Sequence, residues 1–287
     1  MELANDDNDF LTAKKKMKTK IPSLSLSLSL LALLGWLSLG TAQANTIVYV
    51  AGSTKQFGTL DLLTRAYTQI NADIGQFLTG LAMYQGQLYG VNYGTPAALY
   101  TVGTNGSLTS IGSTGTAISG LAFDATGKLY ADNYSNDRLG TLNLATGAYT
   151  NIGAIGVSSG NLLGVLAFSN GTLYDAVSQQ LFSLNTLTGA GTVIGISNSL
   201  YEGMALFDAG NVLYGIGMDN KNLYSINTAT AGLTNLGAIT GTNLPGRFYA
   251  ATAGTTSNNV PEPSSLGLFA IGALVMGWGR KRSNAVV

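Results

Sequence analysis

Gly120-Leu121-Ala122-Phe123-Asp124-Ala125-Thr126-Gly127-Lys128-Leu129-Tyr130 is the stretch on which the reading of this chain turns. Small and apolar residues, a polar Asp-Ala-Thr-Gly turn and a second run opening with Leu-Tyr describe two short strands joined as a hairpin. The unit recurs as Gly80-Leu81-Ala82-Met83 leading to Leu88-Tyr89 and as Val165-Leu166-Ala167-Phe168 leading to Leu173-Tyr174. A further copy reads Gly203-Met204-Ala205-Leu206 leading to Leu213-Tyr214. With Val48-Tyr49 included, the tyrosines fall at 49, 89, 130, 174 and 214, a spacing of 40 to 44 residues. That period, with several strand signals in each interval, is the mark of a β-propeller with one blade per repeat.

Each interval carries four strand candidates. In the second full unit they are Gly120 to Phe123, Leu129 to Ala131, Arg138 to Leu144 and Ala148 to Gly153. The last turn recurs in step as Leu62-Leu63-Thr64-Arg65, Thr104-Asn105-Gly106, Ala145-Thr146-Gly147, Leu187-Thr188-Gly189 and Ala229-Thr230-Ala231-Gly232. An Ile-Gly, Ile-Asn or Leu-Gly step then ends the following strand at Ile70-Asn71, Ile111-Gly112, Ile152-Gly153, Ile194-Gly195 and Leu236-Gly237. Five copies of each landmark predict an all-β, five-bladed propeller of four-stranded blades. The first interval lacks a Gly-Leu-Ala-Phe strand. Gly246-Arg247-Phe248-Tyr249, near the end of the repeats, takes that place without a following Leu-Tyr strand. The segment Arg247 to Ala251 is therefore expected to pair with Ile47 to Ala51, completing one blade from both ends and hiding two sheet edges. A six-blade ring using Gly246 to Asn259 in an extra blade is the alternative.

Composition narrows the chemistry. Only 10% of the 287 residues are charged, and Gly numbers 38, which suits strands and turns better than helices. Between Asn45 and Asn259 nine acidic side chains face six basic ones, a balance near −3 with no basic stripe, so nucleic acid is not an expected partner. Cysteine and histidine are both absent. No disulfide can staple the fold, and His-based triads, His-ligated metals and the commonest general base near neutral pH are all excluded.

The two ends give the address. Lys14, Lys15, Lys16, Lys18 and Lys20 precede the nearly uncharged, Ser/Leu-rich Ile21 to Gly40, followed by Ala42-Gln43-Ala44. This order of parts predicts a signal peptide over residues 1–44, with a signal helix and cleavage by signal peptidase before Asn45. Met17 offers a second start, and a retained membrane anchor is the alternative. At the other end Val260-Pro261-Glu262-Pro263 leads into the apolar Leu266 to Gly279, a predicted transmembrane helix, and then Arg280-Lys281-Arg282. The basic cluster favours the cytoplasmic side, which puts residues 45–259 outside the inner membrane. A plain tail anchor would leave the Pro-Glu-Pro unexplained.

Two resemblances follow from these residues. Residues 45–259 resemble the bacterial extracytoplasmic propellers related to NHL and YVTN repeats, in which a Gly-Leu-Ala-Phe-Asp type strand lies innermost. The Trp-Asp dipeptide of WD repeats and the Ser-x-Asp-x-Gly box of sialidases are absent. Residues 260–283, ahead of a short tail at 284–287, resemble the PEP-CTERM sorting signal through Pro261, Glu262 and Pro263, the hydrophobic segment and Arg280, Lys281 and Arg282. That resemblance implies an exosortase as partner, a membrane-tethered precursor, and delivery of the mature domain to the cell surface or extracellular matrix.

Ligands of propellers gather at the mouth of the central channel, on loops flanking the inner strands. Candidate polar residues there are Asn92, Asp132, Asn133, Asp175, Glu202 and Arg247, the last standing where other inner strands carry Leu or Met. Asp132, Asp175 and Glu202 could form a glycosidase-like acid/base set. They are not at equivalent repeat positions, however, and Asp and Asn are ordinary turn formers. Asp132-Asn133-Tyr134-Ser135-Asn136-Asp137 is rich in oxygen ligands but lacks the Gly and distal Glu of an EF-hand loop, so a solvated connector is expected rather than a Ca²⁺ site. The reading is a non-catalytic surface protein that binds polysaccharide or another protein, with no metal and no cofactor; a carbohydrate-active enzyme is the alternative.

Overall fold

The computed structural model describes residues 46–156, 165–177, 179–196 and 204–254. The predicted signal peptide, with Ala42, Ala44 and Asn45, and the predicted sorting segment lie outside them, as does Glu202. Among the described residues no helix is long and apolar enough to cross a membrane.

Among the described residues twenty strands form five antiparallel four-stranded sheets. The first contains β1 (Ile47–Gly52), β2 (Phe57–Asp61) and β3 (Tyr67–Asn71), with β20 (Phe248–Ala253) inside β1. The second runs β4 (Leu78–Tyr84), β5 (Gln87–Asn92), β6 (Ala98–Val102) and β7 (Leu108–Ser113). The third is β8 (Gly120–Phe123), β9 (Leu129–Asn133), β10 (Arg138–Leu142) and β11 (Tyr149–Ala154). The fourth is β12 (Leu166–Ser169), β13 (Thr172–Val177), β14 (Gln180–Leu184) and β15 (Gly191–Ile196). The fifth is β16 (Met204–Ala209), β17 (Val212–Gly217), β18 (Asn222–Ile226) and β19 (Leu233–Ala238). The inner strands meet in the cyclic order β20, β4, β8, β12, β16, closing a five-bladed ring.

The core lies between blades. Its five clusters each join two neighbouring sheets, which is why strand residues on both faces are buried. Between the third and fourth blades, for example, Tyr130 and Leu139 pack with Leu173 and Phe182. The outermost blade residues explain two sequence landmarks. Every third-to-fourth strand pair shifts register once, so Ile70, Ile111, Ile152, Ile194 and Leu236 are bulged residues of the edge strands. A bulge bends an edge away from further pairing. The glycine after the bulge also lets the next blade approach: a Cβ on Gly153 would lie 2.0 Å from the Thr188 carbonyl oxygen, and one on Gly112 would lie 2.2 Å from that of Thr146.

The terminal strands do pair, in the register Val48↔Ala253 through Ala51↔Ala250, with a bulge before Gly52↔Phe248. The alignment of the last two inner strands differs from expectation. Met83 and Phe123 pair with Leu88 and Leu129, and the corresponding partner of Leu213 is Asp208. The fifth-blade equivalent of Gly-Leu-Ala-Phe is thus Ala205-Leu206-Phe207-Asp208, two residues later than Gly203-Met204-Ala205-Leu206. By the same pairing the closing strand supplies Ala250-Ala251-Thr252-Ala253. Arg247 therefore does not occupy a Leu or Met position: it precedes β20, and Ala251 fills that place. The reason is physical. The register of β20 is set by β1, roughly two hundred residues away, and no local turn records it.

Candidate binding face

The end of the ring where the chain enters its inner strands gathers the predicted site residues, but it does not bring them together as free ligands. Asn92 and Asn133 end β5 and β9 at equivalent places and both brace loops. Asn92 Nδ2 donates to Gln76 Oε1 at 2.9 Å while its Oδ1 accepts from Ala98 N at 2.7 Å. Asn133 Nδ2 donates to Thr116 Oγ1 at 2.7 Å while its Oδ1 accepts from Ser135 N at 3.1 Å. Arg247 is exposed, forms an ion pair with Asp219, and donates through Nη2 to Asp219 Oδ2 at 3.1 Å. Hydrogen bonding to the Tyr249 hydroxyl, together with Asp219, holds its pKa above the usual value.

Asp132 and Asp175 are buried at this end and not open to the mouth. They are 2% and 1% exposed. Side chains alternate along a strand, so Asp132 shares the face of Tyr130, and Asp175 shares the face of Leu173 and Val177. Those neighbours belong to one cluster, which places both carboxyls in the interface between the third and fourth blades. Equivalent strand positions elsewhere hold Val91 and Ile216 for Asp132, and Gly90 and Gly215 for Asp175, as the pairing registers show. Ser119 Oγ donates to Asp132 Oδ2 at 2.9 Å, and Oδ1 has no hydrogen-bond partner among the described residues. Burial, helped by the nearby Asp137 charge, pushes the Asp132 carboxyl up to about 7. Asp175 accepts from Val165 N at 3.2 Å. Burial foremost, then repulsion from Asp132, raises it well above the carboxylate range. Within the stretch 132 to 137, Asp132 turns into the interface while Asn133 caps the turn. Among the described residues no group of three acidic side chains is arranged to hold a metal ion.

What the mouth does present is aromatic. Tyr249 meets Phe77 at 4.6 Å between ring centroids, Phe77 meets Tyr93 at 6.1 Å, and Tyr93 lies parallel to Tyr134 at 5.8 Å. The row crosses from the closing blade over the second blade to the third. Tyr93 and Tyr134 directly follow the expected site residues Asn92 and Asn133. The signal available was the Asn-Tyr pair repeated 41 residues apart. At the opposite end a cavity of about 180 Å³ opens among Leu81, Phe123, Phe168, Leu206, Asp208 and Thr252. Its lining comes from repeated inner-strand positions.

No curated protein matches the chain by sequence. Among solved structures, the chain is similar to a protein of unknown function from Bacteroides thetaiotaomicron (15% identity, 67% of this chain, TM-score 0.51), of which it spans 55%. It is also similar to a chain of a nidogen/laminin complex (13% identity, 74% of this chain and 99% of that one, TM-score 0.50). Virginiamycin B lyase from Staphylococcus aureus aligns at 10% identity over 70% of this chain and 72% of that one, with a TM-score of 0.44. At such identities the likeness concerns the fold alone. Residues 259–282 match the PEP-CTERM protein-sorting motif, which implies an exported, membrane-anchored precursor recognised by an exosortase. The chain thus joins a five-bladed β-propeller to a PEP-CTERM sorting motif.

Proposed function

We propose that the mature protein is a non-catalytic binding module displayed at the cell surface or in the extracellular matrix, with its ligand taken at the channel mouth where the chain enters the inner strands. The sorting motif supports the address. The observation that supports the binding role is the burial of Asp132 and Asp175, which are 2% and 1% exposed and face a blade interface instead of the open mouth. An acid/base pair must reach both the leaving oxygen and a water. The exposed loops of the mouth offer rings, amides and hydroxyls instead, which recognise without reacting.

The test exposes the full-length protein to an oligosaccharide array and follows the bound sugars by mass spectrometry. Sugars held and recovered intact are expected from wild type and from Asp132→Asn alike. Shortened sugars in the wild type, absent with Asp132→Asn, would establish the glycosidase alternative.

A further inference from the structure

We infer that the row Tyr249, Phe77, Tyr93 and Tyr134 is a sugar-stacking platform that takes a neutral pyranose polymer along the rim of the channel. The inference rests on the binding-module reading above and names the ligand class and the residues.

The rings are not explained by the repeat. Positions that pack the blades recur in every blade, as Tyr89, Tyr130, Tyr174 and Tyr214 do. By strand register, Tyr93 and Tyr134 correspond to Ser53 in the first blade and Met218 in the fifth. Phe77 corresponds to Ala117 in the third blade, and Tyr249 to Thr79, Ser119 and Met204. Among the described residues the aromatic row is therefore local to one sector of one face.

It is also built to stay in place. Tyr134 is buried at 9% exposure and underlies Tyr93, which is 53% exposed. Phe77 is wedged edge-on between Tyr93 and Tyr249. The Tyr249 hydroxyl is engaged by Arg247, which is itself tied to Asp219. A ring held this way loses little freedom when a ligand covers it, so binding avoids most of the ordering cost.

The chemistry selects the ligand. The apolar C–H face of a pyranose stacks on an aromatic face while its equatorial hydroxyls point sideways to hydrogen-bonding groups. Around the row those groups are neutral: the exposed Thr95 beside Tyr134, the Gln76 and Asn92 amides, and the tyrosine hydroxyls. Arg247, the cation that engages the Tyr249 hydroxyl, is paired with Asp219. Nothing here attracts a polyanion, and Tyr93, exposed on a backing ring of Tyr134 and braced edge-on by Phe77, offers a stacking face that suits a neutral sugar chain better than a charged peptide.

The experiment titrates full-length protein with cellohexaose, laminarihexaose and mannohexaose by calorimetry, using heparin as the anionic probe. Wild type binds at least one neutral hexasaccharide. Tyr93→Ala weakens that binding ten-fold or more, Tyr93→Phe stays within about two-fold, and Tyr84→Ala at the opposite end of the ring leaves it unchanged. Because Tyr93 is more than half exposed, Tyr93→Ala is expected to melt with the wild type, and Tyr93→Phe separates loss of the ring from any loss of fold. Failure to bind any neutral sugar, preference for heparin, or equal binding by Tyr93→Ala overturns the platform. In the last two cases a binding module survives with its ligand or site elsewhere, whereas cleavage of the sugars would remove the binding-module reading itself.

Discussion

Replacing Asp132 by Asn tests the electrostatics of the blade interface. The folded carboxyl titrates at about 7 against an ordinary 3.8. The folded state therefore holds a proton that the unfolded chain has already released between those values. Stability falls as pH rises through that window and levels off above about 7. A shift of roughly three units corresponds to a ceiling of about 4 kcal/mol, and relaxation of the site lowers this to about 2–4 kcal/mol. In a domain of this size that is a fall of about 5–15 °C in Tm between pH 4.5 and 7.5. Asp132 interacts with Ser119, Asp175, Asp137 and the Tyr149 phenol. Asp175, raised in the same direction, adds to the trend. The chain has no histidine to titrate in the window. Asp124, held below the usual range by hydrogen bonds from Thr126, Lys128 and Tyr130 that outweigh its burial, acts only below it. Asn retains the volume and can still accept from Ser119, but it carries no charge. Asp132→Asn is thus expected to raise Tm at pH 7.5 and to remove at least half of the slope, measured by thermal unfolding at four pH values. A wild-type Tm that is flat or rises with pH, or a variant less stable than wild type at pH 7.5, would refute the reasoning.

Other expectations follow from the packing and the ends. Gly153→Ala drives a Cβ against the Thr188 carbonyl oxygen and should cost about 1–3 kcal/mol, read by urea unfolding. Gly171→Ala meets no neighbouring atom and bears only its positive φ of 76°, a cost of about 1 kcal/mol. Phe248, fully buried against Tyr67 at the seam of the ring, should lose about 3–5 kcal/mol on replacement by Ala. Hydrogen exchange should then show the protection of β1 and β20 falling first. Replacing Pro261, Glu262 and Pro263 together by Ala should leave the precursor uncleaved in the membrane fraction, visible as a larger band on an immunoblot; normal processing would show that the motif is not what the exosortase reads.

The sequence by itself determined the blade count, the four strands of each blade and the closure by both chain ends, because each of these is written in short-range pattern. Leu-Tyr pairs recur at one spacing, and the turns before the outer strands place a residue of positive φ in step: Arg65, Gly106, Gly147, Gly189 and Ala231. An Asp or Asn four residues earlier, at 61, 143, 185 and 227, accepts hydrogen bonds from the turn in four of the five blades, a signal that was present and not used. The sorting motif was equally legible, since it is read as linear chain. Tertiary structure alone decided the register of β20, because its partner is β1 at the other end of the propeller. It alone decided which carboxyls are buried: Asp132 and Asp175 look like loop-end ligands in one dimension, yet strand alternation and the neighbouring blade turn both into a closed interface. The aromatic row is half written in the chain: Tyr93 and Tyr134 stand one blade period apart, whereas Tyr249 meets Phe77 only because the closing strand returns beside the second blade.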